Sequence, residues 1–275
     1  MLKVGWIDYA NCTPLLLQIE QELTTAGIGL VHGVPAQLNQ ALAKGDVDIC
    51  ISSSIEYATH QDDYAILPGH CIGCSGPVMS VLLFSHRPVE ELGNSKILVT
   101  PESATSLILL KILLSEYWKL EGSVFEPSQS DWETAISSGE PLLLIGDSAL
   151  KASMSSIAPY CYDLGEVWSK MTGLPFVYAL WQINRHSAAS KGEEISLLTA
   201  LLDRARDMVP ENIEQLAVTA AEKSWMGQEH LEEYWRKITY NLDEAHIKGL
   251  THFYSLAAGM KLVPAVGFLD FYRAQ

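Results

Sequence analysis

His70, Cys71 and Cys74 stand together in LPGHCIGCSGPVMS, residues 67–80. A C-x-x-C beside a histidine has the composition of a redox dithiol, half a zinc site or part of an iron–sulfur site. It is equally two small side chains in a loop. The reactive readings each need more than this stretch supplies. There is no second C-x-x-C and no H-E-x-x-H, and the eight histidines are dispersed. His60 and His70 would have to join Cys71 and Cys74 at a spacing that matches no common zinc site. A thioredoxin-like dithiol opens a helix after a strand, whereas this one lies between two apolar runs. The expectation is therefore no metal and no redox group.

Three other stretches carry a different chemistry. Ligands in open α/β sheets bind beyond the carboxyl ends of the strands, and three strand-to-helix junctions here are polar. The first is Asp8-Tyr9-Ala10-Asn11-Cys12-Thr13-Pro14, the second Ser52-Ser53-Ser54-Ile55-Glu56-Tyr57, the third Thr100-Pro101-Glu102-Ser103-Ala104-Thr105-Ser106. Hydroxyls and free backbone N–H groups at a helix N-terminus suit an anion such as a carboxylate. Each junction also has an ordinary reading. Asn11 or Thr13 caps a helix with Pro14 in its first turn, and one serine caps each of the other two. Three together make the ordinary reading weaker than any one alone. They hold almost no Lys or Arg, so oriented neutral dipoles would have to bind the anion, which a water-poor cleft permits. Glu56, Glu102 and Asp147 are bases or caps by type, and Asp147, after LLLIG, is expected to cap the next helix. The aromatic residues of EVWSKMTGLPFVYALW are expected mostly in the core, with a few walling a cleft.

The elements that would position these junctions follow from periodicity. Residues 2–8, 29–34 and 47–52 read as strands, and 13–25 and 35–43 as helices. This β-α-β-α-β order predicts a parallel sheet with helical crossovers. YAILPG and PVMSVLLFS read as further strands, the second long and buried on both faces. KILVT begins a second βα series that ends near PFVYALWQIN. From about residue 192 the chain reads as helical to the end. We read two α/β lobes, residues 1–88 with 180–275 and an inserted 89–179; composition does not reveal the insertion, and the double βα series permits it.

Composition sets the outer limits. The 275 residues are 48% hydrophobic with mean hydropathy +0.11, enough for a sizeable core. With 33 acidic against 18 basic side chains the net charge is −15, which argues against nucleic-acid binding and anionic membranes. No run reaches the ~18 apolar residues of a membrane span. The N-terminus lacks a charged region followed by a long apolar one, and five scattered cysteines fit reduced thiols, so a cytoplasmic location is expected. There is no Walker loop or G-x-G-x-x-G, so nucleotide binding lacks support.

The order DYANCTPL, SSIEYA, LLFSHRPVEEL, TPESATSLILLKILL, LLLIGDSAL, DLGEVWSKMTGLPFVYALW and YNLDEAHIKGLTHFY resembles the chorismate dehydratase family of the futalosine route to menaquinone. The motifs run from residue 4 to about 254, nearly the whole chain. The resemblance implies an α/β, two-lobe, periplasmic-binding-protein type II-like fold, each lobe a central β-sheet flanked by helices, with the active site in the cleft between the lobes. It implies a cofactor-independent hydro-lyase whose substrate is chorismate and whose product is 3-[(1-carboxyvinyl)oxy]benzoate. Carried over by motif, Asn11 in Y-x-N-x-x-P-L and Ser80 in G-P-V-x-S-V-L-L-F-S are the expected catalytic contacts. Ser53, Ser54, Ser103, Thr105 and Ser106 are the expected carboxylate-binding set. The sequence departs from the family where Cys74 replaces a serine ahead of Gly76-Pro77-Val78, and Cys71 adds a second thiol. Three rivals remain at this level: a 1,4-dihydroxy-6-naphthoate synthase-like enzyme of the same pathway, a non-catalytic carboxylate-binding protein, and a metal-dependent dehydratase using the C-x-x-C.

Overall fold

A computed structural model describes residues 1–101, 104–155 and 157–274. The chain opens with β1 (Lys3–Ile7), α1 (Thr13–Thr25), β2 (Gly29–Gly33), α2 (Pro35–Lys44), β3 (Ile49–Ser53), α3 (Ser54–Thr59) and β4 (Tyr64–Cys74). The predicted parallel unit is present: β1 pairs in parallel with β2 and with β3. Buried Leu15, Ile19 and Leu23 in α1 recur at helical spacing and form the stripe that the helix turns inward. Proline opens α2, and Gly45, with φ of 74°, closes it in the left-handed conformation.

The middle of the chain builds a second sheet. It comprises β5 (Val81–Ser85), β6 (Lys96–Val99), β7 (Val124–Pro127), β8 (Leu142–Ile145) and β9 (Tyr160–Asp163). Between them lie α4 (Ala104–Ile112, extended by a π-helical turn), α5 (Trp132–Ser137) and α6 (Gly146–Met154). Helix α7 (Leu164–Thr172) leads back to β10 (Phe176–Asn184) in the first sheet. Helices α8 (Arg185–Ser190), α9 (Gly192–Thr219), α10 (Lys223–Met226) and α11 (Gln228–Lys237) follow, then β11 (Ile238–Leu242) and α12 (Glu244–Gly259). The strand orders are β11-β4-β10-β3-β1-β2 and β7-β6-β8-β5-β9.

Alternation within the strands decides which core each side chain joins. Leu82 and Phe84 of β5 share a face with Leu142 and Leu144 of β8, and they pack with Ala135, Ile136 and Ala149 in a small separate cluster. Leu83 and Leu143 point the other way, into the large core that runs through both lobes.

Several elements differ from the sequence reading. YAILPG and HCIGC are one strand, β4, bulged where it pairs with β10. The cysteines therefore lie within a central strand and not in a loop. The long run PVMSVLLFS is a strand only over its last five residues. Met79 has φ of 64°, a left-handed conformation rare for a side-chain-bearing residue. It is held there by Asp163, whose carboxylate accepts Val78 N–H at 2.9 Å and Met79 N–H at 2.7 Å. The same carboxylate caps α7 through Gly165 N–H at 2.9 Å and Glu166 N–H at 3.1 Å. Residue 192 onward is not wholly helical, because β11 adds an edge strand beside β4. The first sheet is mixed, since β10, β4 and β11 run antiparallel to their neighbours. The chain changes sheets between β4 and β5 and again between α7 and β10, so 81–88 belong with the second sheet and 176–179 with the first.

Candidate functional site

A pocket lies where the two sheets face each other across these crossovers, with about 610 Å³ of atom-free space that opens to solvent. The first lobe contributes Tyr9, Asn11, Ser53 and Tyr178 to its wall; the second contributes Ser80, Thr105, Ser106, Ile145 and Gly146. Among the described lining residues there is no Lys, Arg, His, Asp or Glu.

Asn11 sits between β1 and α1. The residue at the α1 N-cap is Cys12, and no side chain caps the helix. The Asn11 carboxamide oxygen is buried without a partner among the described protein residues, so the ordinary capping reading does not describe it. Its loop is held from behind. Trp235 Nε1 donates to the Ala10 carbonyl at 2.7 Å and the Tyr240 hydroxyl to the Asn11 carbonyl at 2.8 Å. From the other lobe, Asp147 Oδ1 accepts Ala10 N–H at 3.0 Å. Asp147 thus ties the lobes together instead of capping α6, whose N-cap is Ile145. Burial, with Glu222 nearby, pushes its carboxyl above the usual range despite the Ala10 bond.

Ser53 occupies the α3 N-cap position, yet its hydroxyl caps nothing. Asn39 Nδ2 donates to Ser53 Oγ at 3.2 Å and to Glu56 Oε2 at 3.3 Å, while Ser52 Oγ donates to Asn39 Oδ1 at 2.6 Å. A carboxylate can only accept, so Glu56 fixes which end of the amide faces Ser53. A hydroxyl that accepts from the protein keeps its own proton for a ligand. The same logic holds for Thr105, which accepts Ile55 N–H at 3.2 Å. Ser80 differs: it receives the Tyr234 hydroxyl at 3.0 Å, and its own proton points to the Val78 carbonyl at 3.5 Å. Ser53 and Thr105, one from each lobe, are thus set as donors toward the cleft.

Of the residues singled out from sequence, Asn11, Ser53, Ser80, Thr105 and Ser106 meet in this pocket. Ser54 does not line it. It is fully buried, 3.5 Å from Thr105 Oγ1, and its carbonyl accepts from Tyr254, so it backs the wall. Ser103 lies outside the described residues.

The reactive-looking cluster disperses. Cys71 and Cys74 are fully buried, and their thiols donate to the carbonyls of Asn241 at 3.4 Å and Gly76 at 3.2 Å. Burial pushes both thiols far above their ordinary range, which leaves them unreactive. His70 Nε2 lies 3.1 Å from Asp203 on α9, and burial lowers it to about 4 despite that carboxylate. His60 lies 3.0 Å from Glu56. Among the described residues no three His, Cys, Asp or Glu side chains converge as a metal site would require.

Sequence reasoning missed Tyr178, Asn39, Tyr234 and Asp163. Tyr178 belongs to the run of which a few aromatic residues were expected to wall a cleft, but nothing in the pattern of β10 marks which of its side chains do so. Asn39 and Tyr234 lie on helices whose partners are far away in sequence.

The comparisons place this geometry. Residues 2–259 match the family described as menaquinone biosynthesis. A chorismate dehydratase of Thermus thermophilus is 31% identical over 276 residues, covering 95% of this chain and 96% of that protein. A chorismate dehydratase of Campylobacter jejuni is 31% identical over 191 residues, 68% of this chain and 70% of that protein. In structure the chain is similar to the periplasmic aliphatic sulphonate binding protein of Escherichia coli, with a TM-score of 0.71 at 15% identity, over 100% of this chain and 92% of that one. That likeness shows the fold, two α/β lobes of the periplasmic-binding-protein kind. With the family matched over almost its whole length, the chain belongs to the menaquinone biosynthesis family.

Proposed function

We propose that this protein is a chorismate dehydratase, a cofactor-independent hydro-lyase that converts chorismate to 3-[(1-carboxyvinyl)oxy]benzoate and water. Family membership supports the pathway, and the curated relatives support the reaction. The observation that carries the reading in the structure is the pocket. It brings Asn11 together with hydroxyls of both lobes, and none of its described lining residues is charged.

The substrate supplies much of the driving force. Its ring C3–H is vinylogous to the ring carboxylate, so loss of that proton gives a delocalised enolate. The C4–O bond then breaks, the electron pair aromatises the ring, and the departing hydroxide takes up a proton as water. The protein has to position, to donate hydrogen bonds and to exclude solvent. Asn11 and Ser80 are read as polarising contacts around the C3 proton and the C4 hydroxyl. Neither is a ready base, because an amide does not titrate near neutrality and a serine needs an adjacent base. The proton acceptor in this reading is water or the substrate's own side-chain carboxylate. Ser53, Thr105 and Ser106 hold carboxylate oxygens, with Ser54 supporting Thr105. Five cysteines without a disulfide among the described residues fit a reducing compartment, and we assign the protein to the cytoplasm.

Incubation of the purified chain with chorismate tests this directly. The expected result is growth of an aromatic absorbance with a product lighter by one water. Tight binding without that mass loss would identify a carboxylate-binding protein instead.

A further inference from the structure

Two side-chain polar atoms on the pocket wall are buried with no protein hydrogen-bond partner among the described residues: Asn11 Oδ1 and the Tyr178 hydroxyl. A buried polar group left without a partner is costly, and native structures keep very few of them. The Asn11 oxygen is an acceptor and cannot serve an anion. The Tyr178 hydroxyl can donate. We propose that Tyr178 contacts the substrate, its hydroxyl donating a hydrogen bond to a carboxylate oxygen of the bound molecule. This rests on the reading of the pocket as a chorismate site.

The surroundings of Tyr178 favour this role over a structural one. It projects from β10 beside Cys74, whose thiol donates to the Gly76 carbonyl at 3.2 Å and whose sulfur offers the phenol only a weak acceptor. Gly165 closes the back, with its ideal Cβ position 3.1 Å from the Tyr178 hydroxyl, so a side chain there would crowd the ring out of place. Tyr178 itself lines the pocket. Burial first, with the nearby Cys74 and Asp163, raises the phenol well above its ordinary value. The group therefore stays protonated at working pH. It is a weak acid there, better suited to holding an anion than to protonating a leaving hydroxide. The described lining residues include no cation to do that work, and a neutral donor in a dry wall binds a carboxylate without needing a counter-charge.

Tyr178→Phe removes the oxygen and nothing else. Steady-state kinetics with chorismate and thermal unfolding, measured on wild type and variant together, test the proposal. We expect KM to rise about tenfold or more, kcat to stay within about threefold, and Tm to hold or increase. An unchanged KM would make Tyr178 only a wall residue. A fall in kcat at constant KM would mean that it acts on the reacting centre, and a lower Tm would mean that its hydroxyl is structural. Either result overturns the assignment. The wild-type rate reports separately on the function itself. If the wild type neither turns over nor binds chorismate, that reading fails and this proposal falls with it.

Discussion

Asn39 shows how one side chain outside the pocket can set what the pocket binds. Its carboxamide faces Glu56 with the nitrogen end, so it can only donate to Ser53. Ser53 in turn keeps its own proton to offer a ligand. Asn39→Ala should raise KM for chorismate roughly fivefold and leave kcat nearly unchanged, because it loosens ground-state and transition-state binding alike. Steady-state kinetics decide, and a fall in kcat alone would contradict this reasoning. Asn11→Ala and Ser80→Ala should instead lower kcat, each by about ten- to a hundredfold, as loss of one preorganised polar contact does. If both variants keep full turnover, the catalytic assignment is wrong. The cysteines belong at the other extreme. Each buried thiol already donates to a backbone carbonyl that a serine hydroxyl could reach. The double variant Cys71→Ser, Cys74→Ser should keep turnover within about twofold of wild type. An inactive, folded double variant would revive the metal reading.

At the level of elements, two carboxylates join segments that sequence keeps apart. Asp163 holds the β4–β5 crossover and the N-terminus of α7 at once, through four backbone N–H groups. Asp48, at the start of β3, accepts Lys3 N–H at 2.7 Å, the Ser187 hydroxyl at 2.7 Å and the Lys191 ammonium at 2.7 Å. Burial alone would push the Asp48 carboxyl up. The Lys191 bond, the Ser187 hydroxyl and the Lys3 amide outweigh it and hold the group below its ordinary value. The folded state therefore binds this proton less tightly than the unfolded chain does. The stabilisation is complete above the ordinary carboxylate value of about 4 and is lost as pH falls through the folded value. Urea unfolding of wild type and Asp48→Asn at pH 7 and at pH 3 measures it. The gap in midpoint should be clear at pH 7 and shrink at pH 3, and a gap that does not shrink would show that the carboxylate charge is not the source.

For the whole molecule, the lobes are tied across the cleft in several places. Ala10 meets Asp147, Ile55 meets Thr105, Tyr234 meets Ser80, and the Lys151 ammonium lies 4.8 Å from the Trp225 ring centre. Gly146 belongs to the same seam. Its φ of 59° is left-handed, and a Cβ there would lie 2.9 Å from the Tyr9 ring. Gly146→Ala should therefore both strain the backbone and push Tyr9 into the pocket, costing about 1–3 kcal/mol of stability and most of the activity. Ligand binding to this closed form should stabilise it by mass action. At a hundred times Kd the gain is about 2.7 kcal/mol, several degrees in Tm for a chain of this size. Thermal scans with chorismate or a stable analogue test this, and no shift at saturation would mean that the pocket does not bind the molecule.

The sequence alone determined what local pattern and motif can carry. The alternation of β1, α1, β2, α2 and β3, the acidic character, and the resemblance spanning the family motifs were all legible, because propensity, caps and hydrophobic period are properties of neighbouring residues. The polar pocket residues Asn11, Ser53, Thr105 and Ser106 were legible too, since strand-to-helix junctions are where such folds place ligands, and Ser80 was legible from the family motif. Tertiary structure decided the rest. Whether HCIGC was a loop or a strand depended on β10 pairing beside it. Where the lobes divide depended on which sheet β5 joined. Whether Asn11, Ser53 and Asp147 were helix caps or something else depended on partners 14 to 137 residues away. Hydrogen bonds and burial between distant segments have no period in the chain, so the direction of each hydroxyl, and the free one on Tyr178, became visible only once the two lobes were in place.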